Sequence, residues 1–419
     1  MSSRNQRPVG RSSATTLFYS LALGSGVMRT ISVVFDIVAL NTVSIDPLAY
    51  GFIAQWTSFI VTLLVVLVLS IKRTRNGKKR ALGYRLDPDF DRLRLLPKRP
   101  MLYLVLSGAF AGVSTYFYYI LASSSDASTV LPYGQLVIIY LLIGDLLGEK
   151  DLPTIIEVQS IVSILFGVLL VGATPGGFDV VTLLMVLGPM NVSSAIFTYY
   201  QRKTKRYELR AGLRVDSLNM RVWSLLALNL VMSLLALPFM NESAWQSMAI
   251  GFIPLLGFMI GSALTSFFGI VMYVRALGRG KMAVVNSLSA ISVVLGIPVT
   301  VIGNLLIPGA FGVLDADAFM WSLKMFGVIL VMIGVVALEA SDVRSFVLIK
   351  VKPLTGDLLP ELFNIRGVEK AAALAGPHDY LLSIKSRNLA KTRSLILKKI
   401  QMIEGINDVE TLVAIKEYR

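Results

Sequence analysis

Runs of about 20 apolar residues, each long enough to cross roughly 30 Å of hydrocarbon at about 1.5 Å per residue, recur ten times along this chain. They fall near residues 15–40, 48–71, 101–122, 130–147, 154–173, 180–201, 221–240, 252–276, 282–303 and 319–340. In lipid every backbone N–H and C=O must be bonded internally, which leaves a helical bundle as the fold for such a pattern. The composition agrees: 55% of the 419 residues are hydrophobic, 16% are charged, and the charges are segregated. The first run follows a basic tail, yet it is too long for a signal-peptide core and contains Arg29 and Asp36, so a retained helix is expected.

Lys and Arg set the expected orientation, because the cytoplasmic side retains them. The tail, residues 1–13, carries Arg4, Arg7 and Arg11, and the connection after the second run holds Lys72, Arg73, Arg75, Lys78, Lys79 and Arg80. The connection after the sixth run holds Arg202, Lys203, Lys205 and Arg206, and the one after the eighth Arg275, Arg279 and Lys281. The alternate connections, 41–47, 123–129, 174–179, 241–251 and 304–318, contain neither residue type. Both termini are therefore expected in the cytoplasm, and the chain in the cell membrane. The net charge of +14 is concentrated in these loops. It suits contact with anionic lipid head groups, worth roughly 1 kcal/mol per charge, and gives no ground for nucleic-acid binding.

Interruptions recur at half-chain spacing. Gly24-Ser25-Gly26 stands just before Arg29, and Gly188-Pro189 just before Asn191. Glycine- or proline-broken spans in corresponding positions of two halves point to a transporter's substrate site, where loosened backbone lines a cavity. Tyr119 and Ala122, ending the third run, are echoed by Tyr273 and Ala276; the fourth run ends at Gly148-Glu149 and the ninth at Gly303-Asn304. An odd number of spans per half inserts the halves with opposite topology. The expected fold is thus all-α and multi-pass, with ten transmembrane helices in an inverted 5+5 repeat over 14–175 and 176–341.

Arg29 and Asp36 are seven residues apart, on one helix face and about 10.5 Å apart along the axis. Charges at that depth cost about 2.5 to 3.5 kcal/mol on insertion scales and normally face a cavity or a partner. Both are candidate substrate ligands, the guanidinium for a carboxylate or phosphate and the carboxylate for proton exchange. The separation is too long for the two to grip both ends of one small α-amino acid directly. A structural pair is the competing reading. Tyr50 and Tyr103 read as interfacial anchors, Lys324 as a side chain snorkelling to the head groups, and Asp145 with Glu149 as a structural pair. Pro132 and Pro298 should bend the fourth and ninth helices.

Taken in order, the short polar loop at 123–129, the mid-helix Pro132, Gly148-Glu149 and a fifth helix ending in Gly167-Val-Leu-Leu-Val-Gly172 resemble the drug/metabolite transporter superfamily of the EamA-like type. The resemblance runs from Thr15 to Ala340, with Gly303-Asn304 standing where the second half would repeat Gly-Glu. It implies a secondary transporter, an exporter of amino acids, metabolites or drugs. It also implies that Gln55, Tyr116, Tyr119, Gln135, Asn191, Asn286 and Ser289 line the substrate cavity.

After Ala340 the charges spread evenly and short segments replace long runs. Strands are expected at 346–352, 368–374, 380–385 and 409–416, with helices at 357–364 and 389–403. That order, βαββαβ, is the ferredoxin-like α+β arrangement, here a cytoplasmic domain over 344–419. Gly376-Pro-His-Asp379-Tyr380-Leu-Leu, followed by a helix and Gly405-Ile-Asn-Asp-Val-Glu-Thr411-Leu, resembles the amino-acid-sensing domain of the leucine- and asparagine-responsive regulator family. The resemblance implies dimerisation through the sheet and an amino-acid effector site at Gly376, Asp379, Tyr380 and Thr411. No helix-turn-helix precedes the domain, so DNA binding is not expected. His378 reads as a surface turn residue.

The chain has no cysteine and one histidine, and shows no nucleophile–base pair, phosphate-binding glycine loop or metal spacing. No enzyme activity, cofactor or metal is expected. The leading expectation is a transporter of amino acids or related small metabolites, homodimeric through its tail and gated there by an amino-acid effector. The alternatives are a drug or organic-cation exporter, in which Asp36 dominates, and a membrane receptor that signals through the tail without transport.

Overall fold

The computed structural model describes residues 11–43, 45–75, 78–123, 127–149, 155–171, 173, 180–210, 213–280, 282–311, 317–340, 343–365, 368–386 and 400–413. The chain divides into two compact units, residues 1–149 with 161–335, and residues 150–160 with 336–419. The basic tail before Arg11, the loop 174–179, Lys281, and most of the second helix expected in the C-terminal region lie outside the described residues, as do the side chains of Asp145 and Glu149.

The elements begin with α1 (Arg11–Thr42), α2 (Pro47–Leu69), the basic hairpin β1 (Lys72–Arg75) and β2 (Lys78–Ala81), and α3 (Lys98–Ala122). They continue through α4 (Ala127–Tyr133), α5 (Val137–Glu149), α6 (Ile155–Val171), α7 (Val180–Met185), α8 (Asn191–Lys205) and the short hairpin β3 (Glu208–Arg210) and β4 (Leu213–Arg214). The last helices before the C-terminal sheet are α9 (Ser217–Ala236), α10 (Glu242–Leu277), α11 (Met282–Ser289), α12 (Ile291–Leu306) and α13 (Ala318–Ala340). Among the described residues seven helices are long and apolar enough to cross a membrane, and three shorter apolar ones, Thr129–Gly144, Val158–Val171 and Ala318–Gly334, fall where the remaining expected runs lie.

Helix starts follow local chemistry. Asp46 caps α2 by accepting from the N–H groups of Leu48 and Ala49, with Pro47 in the first turn. Asp216 and Asn241 do the same for α9 and α10 through Asn219 and Ala244. Each satisfies backbone donors that the helix itself leaves unpaired.

The interruptions are only partly where the sequence suggests. Gly188 leaves helical geometry, at φ −80° and ψ −105°, next to Pro189, so a π-turn over Val186–Met190 separates α7 from α8. A 3-10 turn at Gly134–Leu136 follows Pro132 and separates α4 from α5. In the ninth run the break falls at Ala290, between α11 and α12, while Pro298 stays inside α12. Gly24-Ser25-Gly26 does not break its helix at all, for α1 is continuous from Arg11 to Thr42. There the missing side chains make room: a Cβ on Gly26 would strike the Ser289 carbonyl, and one on Gly24 the end of Met272. Gly108 and Gly112 likewise let α3 approach the Ser224 and Leu228 carbonyls of α9, the small-xxx-small contact by which apolar helices pack without a hydrophobic gradient.

The second unit carries a four-stranded antiparallel sheet, β5 (Val343–Val351), β6 (Val368–Ala373), β7 (Tyr380–Ser386) and β8 (Ile406–Val413), with α14 (Leu359–Asn364) between β5 and β6. The strand order is β6-β7-β5-β8, which puts β5 at the centre. Val347, Ile349, Leu382 and Ile384 alternate along the two middle strands and bury one face with Leu362 and Ile400.

Candidate functional site

A cavity of about 270 Å³ lies among the helices of the first unit. Of the nine residues expected on its wall, Arg29 and Asp36 from α1, Gln55 from α2, and Asn286 and Ser289 from α11 are there. Tyr118, Tyr273 and Arg221, none of them expected there from the sequence, also line it. The other four lie behind the wall. Tyr119 is fully buried and accepts a hydrogen bond from Gln55, 3.0 Å away. Tyr116 packs against Phe117 and Phe239. Asn191 donates to the carbonyls of Tyr133 and Val186, 3.0 and 2.8 Å away, closing the π-turn that Gly188-Pro189 opens. Gln135, in the break between α4 and α5, donates to Ser292 at 3.2 Å and accepts from Asn286 at 3.1 Å, so one amide ties the two interrupted spans together.

Asp36 is 5% exposed and makes no ion pair to a described residue. The hydroxyls of Tyr50 and Tyr118 donate to its two oxygens at 3.0 and 3.1 Å. Tyr50 is therefore no interfacial anchor; it is wholly buried, and the amphipathic ring that suits a membrane surface here brings a donor to an inner carboxylate. Lys324 also departs from expectation, since at 7% exposure it is enclosed by protein instead of reaching outward. Tyr103 stacks on Tyr200 with Lys203 over its ring.

The Arg29 guanidinium reaches the break in the fourth span, where Gly134 has no Cβ to obstruct it. Arg221, 6% exposed, donates to Ser266 at 3.0 Å, and its Nε is buried with no partner. Depth along α1 follows from its contacts with α10: Ser32 bonds Ser262, and Gly269 lies against Met28 and the Arg29 backbone. Ser266 falls between those levels, so the Arg221 head sits nearer the Arg29 level than the start of the Asp36 turn does. The cavity thus has a cationic layer and, farther along α1, one carboxylate.

A second set of buried charges lies where the loop after β2 meets the ends of α8 and α9. Lys205 Nζ is 2.7 Å from Asp87, 3.3 Å from Asp89 and 2.9 Å from the Val215 carbonyl. Asp87 also accepts from the Ser217 N–H at 2.7 Å. Burial resists ionisation of Asp87, but Lys205 and the Ser217 bonds overcome it and hold the carboxyl below its usual value. At Asp216 burial prevails over the hydrogen bonds from Asn219, and its carboxyl is pushed up to about 6.

In the C-terminal sheet the four expected effector residues divide. Asp379 fastens the turn after β6 to β5: its N–H donates to Ile349, its carboxylate accepts from the Val351 N–H at 2.8 Å, and its carbonyl accepts from Leu374. Tyr380 is buried, with its hydroxyl accepting from the Leu358 N–H. Gly376 is exposed with open space around it, and Thr411 is half-buried on β8, opposite Val347. His378 lies 3.5 Å from Glu410 across this region.

The first unit carries apolar helices long enough to cross a membrane, and the second a small module built on an antiparallel sheet. Residues 344–419 match the family model described as Lrp/AsnC ligand binding domain, so the module is an amino-acid-binding regulatory domain of that kind. Domains of this class bind amino-acid effectors and commonly form dimers. No curated protein matches the chain. A solved structure described only as "Crystal structure of protein" is similar at 16% identity and a TM-score of 0.43, over 78% of this chain and 97% of that one.

Proposed function

We propose that the chain is a secondary transporter, an exporter of amino acids or related small metabolites, regulated by amino-acid binding to its C-terminal domain. The reading comprises ten spans in an inverted 5+5 repeat of the EamA-like type in the cell membrane, both termini cytoplasmic, and a ferredoxin-like tail that pairs two chains. The observation that carries it is the cavity, on whose wall Arg29, Asp36 and Arg221 stand among apolar helices beside three broken ones. Intramembrane charges facing a cavity mark solute pathways, and discontinuous helices are the usual frame for them. The strand order β6-β7-β5-β8 supports the ferredoxin-like reading of the tail.

At about 270 Å³ the cavity has room for a small metabolite. Two arginines beside one carboxylate disfavour an organic cation. Counterflow of labelled amino acids in proteoliposomes, with the intact chain and with Arg29→Ala, tests the reading. Saturable exchange that the substitution abolishes is expected; vesicles that bind amino acid at the tail but move no solute would leave a receptor instead of a carrier.

A further inference from the structure

The two arginines and the single acid of the cavity specify its cargo more closely than the fold does. Arg221 is 6% exposed, its Nε has no partner, and its one hydrogen bond to a described residue is to the neutral Ser266. Arg29, half-buried at the cavity wall, makes no hydrogen bond or ion pair to a described residue and extends toward the open side of Gly134. A buried guanidinium with nothing opposite it is costly, and its planar fork is matched by a carboxylate or phosphate. Asp36, in contrast, has both oxygens occupied by tyrosine hydroxyls, which suits an acceptor-only carboxylate that still has lone pairs to offer a cation. With Asp36 ionised the wall carries two positive charges and one negative, and its other polar groups are neutral hydroxyls and amides.

We infer that the cargo is an acidic α-amino acid, whose two carboxylates meet Arg29 and Arg221 and whose ammonium meets Asp36. This rests on the carrier reading and deepens it. The match is group by group and leaves the filled cavity electrically neutral. Arg221, missed as a site residue in the sequence, supplies the second anion contact that Arg29 alone lacks.

The test is counterflow of labelled L-glutamate by the full-length protein in proteoliposomes, with L-aspartate, succinate, L-alanine and tetraethylammonium as competitors, alongside calorimetry of L-glutamate binding in detergent. Glutamate should be exchanged and be displaced by aspartate at least tenfold more effectively than by alanine or tetraethylammonium. Arg221→Gln should weaken glutamate at least tenfold while Arg221→Lys retains more of it. Asp36→Asn, which no longer favours an ammonium, should raise succinate competition relative to glutamate. Thermal unfolding of each variant separates lost binding from lost fold. Exchange of alanine or tetraethylammonium as good as that of glutamate overturns the cargo and leaves the carrier. Glutamate binding that depends on Arg221 without any flux keeps the acidic site and removes the carrier. Neither binding nor exchange of glutamate overturns the inference.

Discussion

The helical unit encloses charged groups around Lys205 and around its cavity, and the protein treats the two sets in opposite ways. Around Lys205 they answer one another: the ammonium reaches two carboxylates and a carbonyl, and Asp87 takes a backbone N–H besides. In the cavity they do not, for Arg29, Arg221 and Asp36 have only neutral neighbours among the described residues. Both clusters bear the cost of leaving water. Only the first recovers it within the chain. A satisfied cluster holds elements together, and the contrast separates this structural latch from the proposed binding site.

Lys205→Ala should break the contrast most severely. It strands Asp87, whose side chain is 2% exposed, and should cost about 3–5 kcal/mol, read as a lowered unfolding midpoint in detergent. A loss below about 1 kcal/mol would mean the latch is ornamental. Asp216→Asn should come next. Asparagine caps α9 as aspartate does but cannot titrate. Because the folded-state value of Asp216 is raised to about 6, the native protein holds the proton longer than the unfolded chain, and the stability Asp216 contributes at low pH is lost as the pH rises from about 4 past 6. The variant should therefore gain on the wild type between pH 4 and pH 7, by at most about 3 kcal/mol. Parallel stability curves would refute it. Asp87 runs the other way: its contribution is present at neutral pH and lost as the pH falls through its lowered value.

Tyr118→Phe should cost about 2 kcal/mol, since it removes one of two hydroxyls from a buried carboxylate. Arg221→Gln should have the smallest effect on stability, under roughly 0.5 kcal/mol or a slight gain, because it relieves a charge the fold never neutralised. Should it destabilise as strongly as Lys205→Ala, the distinction between latch and binding site fails.

Much of the architecture is legible in the residues, and the misreadings have physical causes. Gly188-Pro189 announces its break because proline has no N–H to continue the helix. Gly24-Ser25-Gly26 looks equivalent, yet a glycine without a Cβ serves close approach as readily as it serves a bend, and only the presence of Ser289 opposite decides which. Arg29 and Asp36 stand out because each is an isolated charge in a long apolar run. Arg221 does not, because it stands at the mouth of its run, where arginine ordinarily meets head groups; its burial depends on Ser266, which is 45 residues away. Tyr50 and Tyr118 are hidden for a similar reason: a tyrosine's partner is decided by tertiary contact, and both serve Asp36 from other helices. In the tail, strand order follows from pairing between distant segments, while each strand's position is visible in its own alternation.

The single amide of Gln135 has a mechanical consequence. It grips α11 through Asn286 and α12 through Ser292, on either side of their junction, while itself sitting in the elbow between α4 and α5. Neither elbow can flex alone without sacrificing a hydrogen bond between buried groups, so the two bends move as one joint.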